Sequence, residues 1–109
     1  MSYDVGLWIN TGIEEAEVYG TNSNYTYNVH GMLALAFDED NGINVLEGSL
    51  AKDCIGGLSK AIKHMENFPE THMGHNPPNG CGSYEGCLNW LRNILSHCEQ
   101  HPLATLRIT

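Results

Sequence analysis

The chain opens with alternating apolar and polar residues. Every second residue of segment 3–9 is apolar, namely Tyr3, Val5, Leu7 and Ile9. This period predicts a β-strand with one buried face. A short acidic strand is predicted within residues 14–19, at an edge of the sheet, and the polar residues 20–24 predict a turn or loop.

Two later segments carry apolar residues at helical spacing. The first stripe consists of Leu50, Cys54, Ile55, Leu58, Ile62 and Met65, and the second of Tyr84, Cys87, Leu88, Leu91, Leu95 and Cys98. These stripes predict two amphipathic helices. Ser49 and Ser83 are their predicted N-caps, since Ser is favoured there. Within the first helix, Gly56-Gly57 predicts close approach by a neighbouring element.

The segment 29–37 fits both a helical and an alternating pattern. We favour a short helix, with Asn28 as its cap. Residues 70–82 are rich in Gly, Pro and Asn and predict a loop. Residues 103–109 predict a final strand with alternate residues on one face.

This order of elements predicts one α+β domain spanning residues 1–109. We expect a small antiparallel or mixed sheet in which the N- and C-terminal strands pair. Two main helices and a short third helix are expected on one face of that sheet. A length of 109 residues suits a single domain.

Charge excludes two classes of partner. Thirteen acidic residues face five basic ones, for a net charge of −8. All five cations follow residue 51, whereas eight acidic residues precede it. Because phosphate binding depends on Lys and Arg, we expect no nucleic-acid binding through a basic track. We expect no membrane partner either, since anionic membranes repel such a chain.

The cysteines predict thiols in a cytoplasmic protein. The chain has four Cys residues without a C-x-x-C pair. No basic, apolar leader opens the sequence, so we expect the cytoplasm, where thiols stay reduced.

The sequence gives only weak signals for a metal site or a catalytic nucleophile. His72-x-x-His75 and Cys81 lack the paired spacing of a zinc site, and Asp38-x-Asp40 precedes a Gly one position too early for a calcium loop. We therefore expect no metal and no cofactor. Cys81, with His72 or His75 as base, is the one candidate for nucleophilic catalysis. We favour a protein that is not an enzyme.

Two segments are dense in amides, hydroxyls and aromatic rings. Residues 24–28 and 76–80 could bind a planar polar ligand by stacking and by amide hydrogen bonds. Lys52 or Arg92 would offset any phosphate charge. The candidate ligand-binding residues are Tyr25, Thr26, Asn28, Asn76, Asn79, Tyr84 and Arg92.

The motifs N-Y-T-x-N-V at 24–29 and N-P-P-N-G-x-G-S-Y-E-G at 76–86 resemble those of a family of small bacteriophage-encoded proteins. The resemblance extends from Tyr3 to Ile108. No activity is established for that family. The resemblance implies a phage accessory role in the cytoplasm of a bacterial host.

Three functional hypotheses follow. The first is a non-enzymatic counter-defence protein that binds or sequesters a small polar, nucleotide-derived signalling ligand. The alternative is an inhibitor whose acidic N-terminal half, including Glu14, Glu15 and Glu17, docks on a basic surface of a host protein. A small cysteine-dependent enzyme is the third. A homo-oligomer is compatible with the first two.

Overall fold

A computed structural model describes residues 2–109. Its strands and α-helices are β1 (Ser2–Asn10), β2 (Glu15–Glu17), β3 (Ser23–Thr26), α1 (His30–Phe37), α2 (Ala51–Asn67), α3 (Pro69–Met73), α4 (Tyr84–Gln100) and β4 (Thr105–Ile108). Short 3₁₀ helices at Tyr27–Val29 and Gly42–Leu46 flank α1.

β1 is the central strand and pairs with all three other strands. β4 pairs antiparallel with one edge of β1, from Val5 opposite Ile108 to Trp8 opposite Thr105. The other edge of β1 is shared by β3 and β2, which pair with its first and last residues respectively. The predicted pairing of the N- and C-terminal strands and the short acidic strand are therefore confirmed, in a purely antiparallel sheet.

The helices cover one face of this sheet. Tyr3, Val5 and Leu7 alternate along β1 and are buried together with apolar residues of α1, α2 and α4. Leu58 of α2 and Leu91 of α4 are fully buried in the same core. Burial of these stripes drives the helices onto the sheet, since each removes apolar surface from water. The α+β class predicted from the sequence is confirmed.

The helix starts are only partly as predicted. Segment 29–37 contains α1, and Ser83 caps α4 by accepting a hydrogen bond from the Gly86 N–H at 3.0 Å. The predicted cap at Asn28 is wrong, because Thr26 Oγ1 instead accepts from the Asn28 N–H, ahead of the first 3₁₀ helix. Ser49 is not a cap either.

Backbone carbonyls of the segment that precedes β4 take the place of a side-chain cap at the start of α2. The helix begins at Ala51, and no side chain caps its N-terminus. The Ala51 N–H donates to the Ala104 carbonyl at 2.7 Å, and the Lys52 N–H donates to the Pro102 carbonyl at 2.9 Å. These bonds satisfy N–H groups that lack partners within the helix, so a capping serine is not needed.

Two elements lie where loops were predicted. β3 includes part of the predicted loop and is held as a strand by its pairing with β1. α3 begins at Pro69, whose fixed φ angle suits the first position of a helix, and it extends into the predicted loop 70–82.

The predicted close approach at Gly56-Gly57 is wrong. A Cβ at Gly56 would meet no atom within 4 Å, and a Cβ at Gly57 would meet only the Leu46 side chain, at 3.4 Å. Neither glycine is required by a neighbouring backbone.

Gly56→Ala is therefore expected to stabilise the protein. Gly is less favourable than Ala inside a helix by about 1 kcal/mol, and the new methyl group would point into open space. Urea unfolding should show an increase in the free energy of unfolding of about that size. Gly82→Ala serves as the opposite control: Gly82 has φ +102° and a Cβ there would lie 2.6 Å from Thr26 Cγ2, so stability should fall. A destabilised Gly56→Ala protein would contradict the prediction.

Candidate functional site

Several of the predicted ligand-binding residues meet around the start of α4. The Tyr25 hydroxyl accepts a hydrogen bond from the Ser83 N–H at 3.0 Å. Asn76 Oδ1 accepts from the Tyr84 N–H at 2.8 Å. The two sequence segments are thus brought together, but by bonds within the protein that use some of the polar atoms predicted to bind a ligand.

The remaining predicted residues are also engaged in the fold, with one exception. Tyr84 is buried, and its hydroxyl donates to the Met65 carbonyl at 2.7 Å. Asn79 Oδ1 accepts a hydrogen bond from the Cys81 N–H, and Thr26 is the N-cap of the first 3₁₀ helix. Arg92 forms an ion pair of 2.6 Å with Glu66 of α2. The Asn28 side chain is exposed.

The concavity beside the start of α4 is small. It has a volume of about 190 Å³ and is lined by Met73, Asn76, Ser83, Tyr84 and Glu85. Ligand pockets usually enclose about 300–1,000 Å³. Glu85 also adds a negative charge, which disfavours a phosphate. A ligand role for this group of residues stays a prediction.

A pair of histidines forms a second cluster, between α2 and α3. His64 Nδ1 and His72 Nε2 are 2.8 Å apart, and the two rings meet edge to face with their centroids 5.0 Å apart. His72 is fully buried and His64 half-buried. Phe68, at the junction of the two helices, packs on His64 with the ring centroids 4.9 Å apart.

The hydrogen bond between the two rings sets the position of the His64 proton. His72 Nδ1 is buried without a partner. If His64 were the donor, neutral His72 would carry its proton on Nδ1 as a buried, unpaired N–H, which is costly. We therefore infer that His72 Nε2 donates to His64 Nδ1. Neutral His64 then carries its own proton on Nε2, on the opposite side of its ring.

Burial keeps His72 uncharged. Removal of the ring from water, together with the smaller effects of the neighbouring His64 and His75, lowers its pKa from the ordinary 6.5 to about 4. At neutral pH His72 is thus a neutral donor that orients His64. Buried groups with strongly shifted pKa values are concentrated at functional sites, although structural clusters also produce them.

His64 lines a cleft between the end of α1 and the middle of α2. The cleft has a volume of about 290 Å³, and its lining residues are Leu35, Ala36, Asp38, Lys60 and His64. Lys60 and His64 are one helical turn apart on α2 and so lie on the same side of that helix. The residues of the cleft are thus two apolar ones, a lysine, a histidine and an aspartate.

Asp38 is held at the rim of this cleft by the end of α1. It adopts a left-handed conformation with φ 54°, and its N–H bonds to the carbonyls of Ala34 and Leu35. Asp tolerates this conformation better than most residues. A larger groove of about 460 Å³ runs along α2 and α4 and is also lined by Lys60, beside Lys63. Its one carboxylate, that of Glu66, is already paired with Arg92.

Sequence reasoning did not identify the histidine pair. His64 was interpreted only as a favourable charge near the end of a helix, and His72 as a loop residue that could pair with His75 or act as a base for Cys81. The available signal was the spacing of eight residues across Phe68-Pro69, a dipeptide that ends one helix and starts the next.

The residues considered for catalysis and metal binding are not arranged as those functions would require. Cys81 is exposed, and its N–H donates to Asn79. His72, one of its predicted bases, bonds instead to His64. Within residues 2–109, no group of three or more His, Cys, Asp or Glu side chains is placed to hold a metal ion.

Comparison with protein-family models, curated proteins and solved structures finds no match to this chain. Along residues 2–109, no helix combines the length and apolarity needed to cross a membrane.

Proposed function

We propose that the protein is a non-enzymatic binding protein that holds a small polar ligand with an anionic group in the cleft between α1 and α2. The observation that carries the proposal is the convergence of Lys60 and His64 on one cleft, with the His64 ring oriented by buried His72.

Each wall of the cleft suits a different part of such a ligand. The Lys60 ammonium and the His64 Nε2–H are donors for phosphate or carboxylate oxygens. Leu35 and Ala36 offer apolar contact to a planar group, and the Asp38 carboxylate can accept hydrogen bonds from its amino groups. A volume of about 290 Å³ is near the lower end of the range for small-molecule sites.

The resemblance to bacteriophage proteins adds the biological part of the proposal. It suggests a nucleotide-derived signal as the ligand, and sequestration of that signal in the bacterial cytoplasm as the role, in counter-defence. A nucleotide supplies the phosphate, the planar base and the amino groups that the cleft would contact.

Lys60→Ala is expected to weaken binding of a nucleotide probe about tenfold, because it removes a charged hydrogen-bond donor from the cleft. Isothermal titration with mononucleotides and cyclic dinucleotides is the measurement. Lys52→Ala is the matched control, since it removes the same charge from the exposed start of the same helix. That variant should bind as the wild type does.

Three outcomes would contradict the proposal that the ligand binds in the cleft. They are an equal loss in both lysine variants, a loss confined to Tyr25→Ala and Asn79→Ala, or no binding of any probe. The second outcome would place the ligand at the start of α4. Native mass spectrometry of protein purified from bacteria with active nucleotide-signalling defences extends the search to ligands outside the probe set. A retained mass of a few hundred daltons, lost on denaturation, would support sequestration, and a bare protein mass would count against it.

A further inference from the structure

The face of the sheet opposite the helices is uncovered. Tyr3, Val5 and Leu7 of β1 point into the core, so the alternate residues point away from it. Contacts between side chains confirm this second face: Asn24 Nδ2 donates to Asp4 Oδ1 at 2.9 Å, and Arg107 Nε and Nη2 donate to the Glu15 carboxylate at 3.1 and 3.0 Å. Asn24, Glu15 and Glu17 are exposed on this face, and Asp4, Trp8 and Arg107 are partly exposed.

Trp8 lies at the centre of this open face. Its indole is half-buried and lines a shallow concavity of about 300 Å³ together with Glu15, Glu47, Arg107 and Thr109. Next to it, Gly6 leaves space above the strand, and the Glu17 carboxylate fills that space. A Cβ at Gly6 would collide with this carboxylate and would lie 3.4 Å from the indole nitrogen.

Negative charge surrounds the half-buried indole. Four carboxylates lie on this face or at its rim, those of Asp4, Glu15, Glu17 and Glu47, whereas Arg107 is the cation among the residues contacting them. Arg107 is itself engaged by Glu15. An aromatic face with nearby carboxylates is the chemistry that binds a guanidinium group, through cation–π attraction and charged hydrogen bonds.

We infer that this open sheet face docks a basic protein surface, and that an arginine side chain of the partner enters the concavity beside Trp8 and Glu47. Charge complementarity favours a basic protein as the partner over the alternatives. Nucleic acid and anionic membranes would be repelled, and a second copy of this chain would bring the same negative face against itself. Trp and Arg are the residues most often found at the energetic centre of protein interfaces.

This inference uses different residues from the proposed ligand cleft. The cleft is formed by α1 and α2, whereas the docking face is formed by the sheet. Either can therefore fail without the other.

A fluorescently labelled, otherwise uncharged peptide with several spaced arginines is the probe, and its anisotropy on titration with the protein is the measurement. We expect Trp8→Leu, which keeps an apolar side chain but removes the π system, to weaken binding about fivefold. Glu47→Gln should weaken binding by a similar factor, because one carboxylate is lost. Its amide oxygen can still accept the Ile108 N–H that Glu47 Oε2 now accepts at 3.3 Å.

Glu99→Gln is the matched control, since it removes one exposed negative charge from α4. This variant should bind as the wild type does, and a lysine version of the peptide should bind more weakly than the arginine one. Equal losses for Glu47→Gln and Glu99→Gln, with no effect of Trp8→Leu, would overturn the inference, because binding would then follow net charge alone. Absence of binding at low salt would overturn it as well.

Discussion

Trp90→Ala is expected to lower the free energy of unfolding by about 3–5 kcal/mol, the usual range when a large buried aromatic side chain is truncated. Trp90 is buried between α4 and the sheet. Its ring packs on Tyr3 and Tyr25, with centroids 5.6 and 5.7 Å apart, and its Nε1–H donates to the Ser23 carbonyl at 3.2 Å. Loss of the indole would leave a cavity beneath β3 and remove one hydrogen bond to the Ser23 carbonyl.

Urea unfolding at neutral pH tests this prediction, and Trp90→Phe separates its two causes. Phe keeps most of the packing but cannot donate to Ser23, so it should lose only about 0.5–1.5 kcal/mol, the usual net contribution of one hydrogen bond. A loss below 1 kcal/mol in Trp90→Ala would show that the aromatic cluster does not hold α4 against β3.

Acid is expected to destabilise the protein between about pH 6.5 and pH 4 through His72. The folded-state pKa of about 4 lies below the ordinary value of 6.5 that applies to the unfolded chain. In that interval the unfolded state binds a proton that the folded state does not, so stability is complete above pH 6.5 and is lost as the pH falls. The difference between the two pKa values corresponds to a loss of about 3 kcal/mol.

The measurement is the free energy of unfolding as a function of pH, compared between the wild type and His72→Phe. The variant loses the hydrogen bond to His64 and is expected to be less stable at pH 7. The informative quantity is therefore the change from pH 7 to pH 4.5, which should be smaller in the variant. His101→Ala removes a histidine from the end of α4 and should retain the wild-type pH dependence. Parallel curves for the wild type and His72→Phe would contradict the role assigned to His72.

The sequence predicted the fold well in segments whose apolar residues repeat at the spacing of a strand or of a helix. Tyr3, Val5 and Leu7 of β1 are buried at alternate positions, and α2 and α4 carry continuous apolar stripes, so the α+β class and the packing of helices on the sheet could be predicted. The alternation fails at Ile9, which was predicted for the buried face and is exposed at the end of the strand. β3 has the sequence Ser-Asn-Tyr-Thr and no such period. Its strand conformation comes from pairing with β1, an interaction between distant segments that local pattern does not encode.

The candidate site was less predictable for the same reason. Polar segments rich in Asn and Tyr suggest ligand binding, but most of the polar groups in question bond within the protein, as Asn76 does with Tyr84. The histidine pair shows the converse. His72 stood in a segment with the composition of a loop, and its burial follows from the short helix α3, which the Gly- and Pro-rich neighbourhood concealed.

The position of β1 at the centre of the sheet has a consequence for how the protein folds. Its partners on one edge follow within the next 25 residues, but its partner on the other edge is β4, so that Val5 pairs with Ile108. Such a distant contact raises the contact order, and high contact order slows folding. On the ribosome, β1 would have one unpaired edge until almost all of this chain had emerged, and an open strand edge is a template for pairing with other chains.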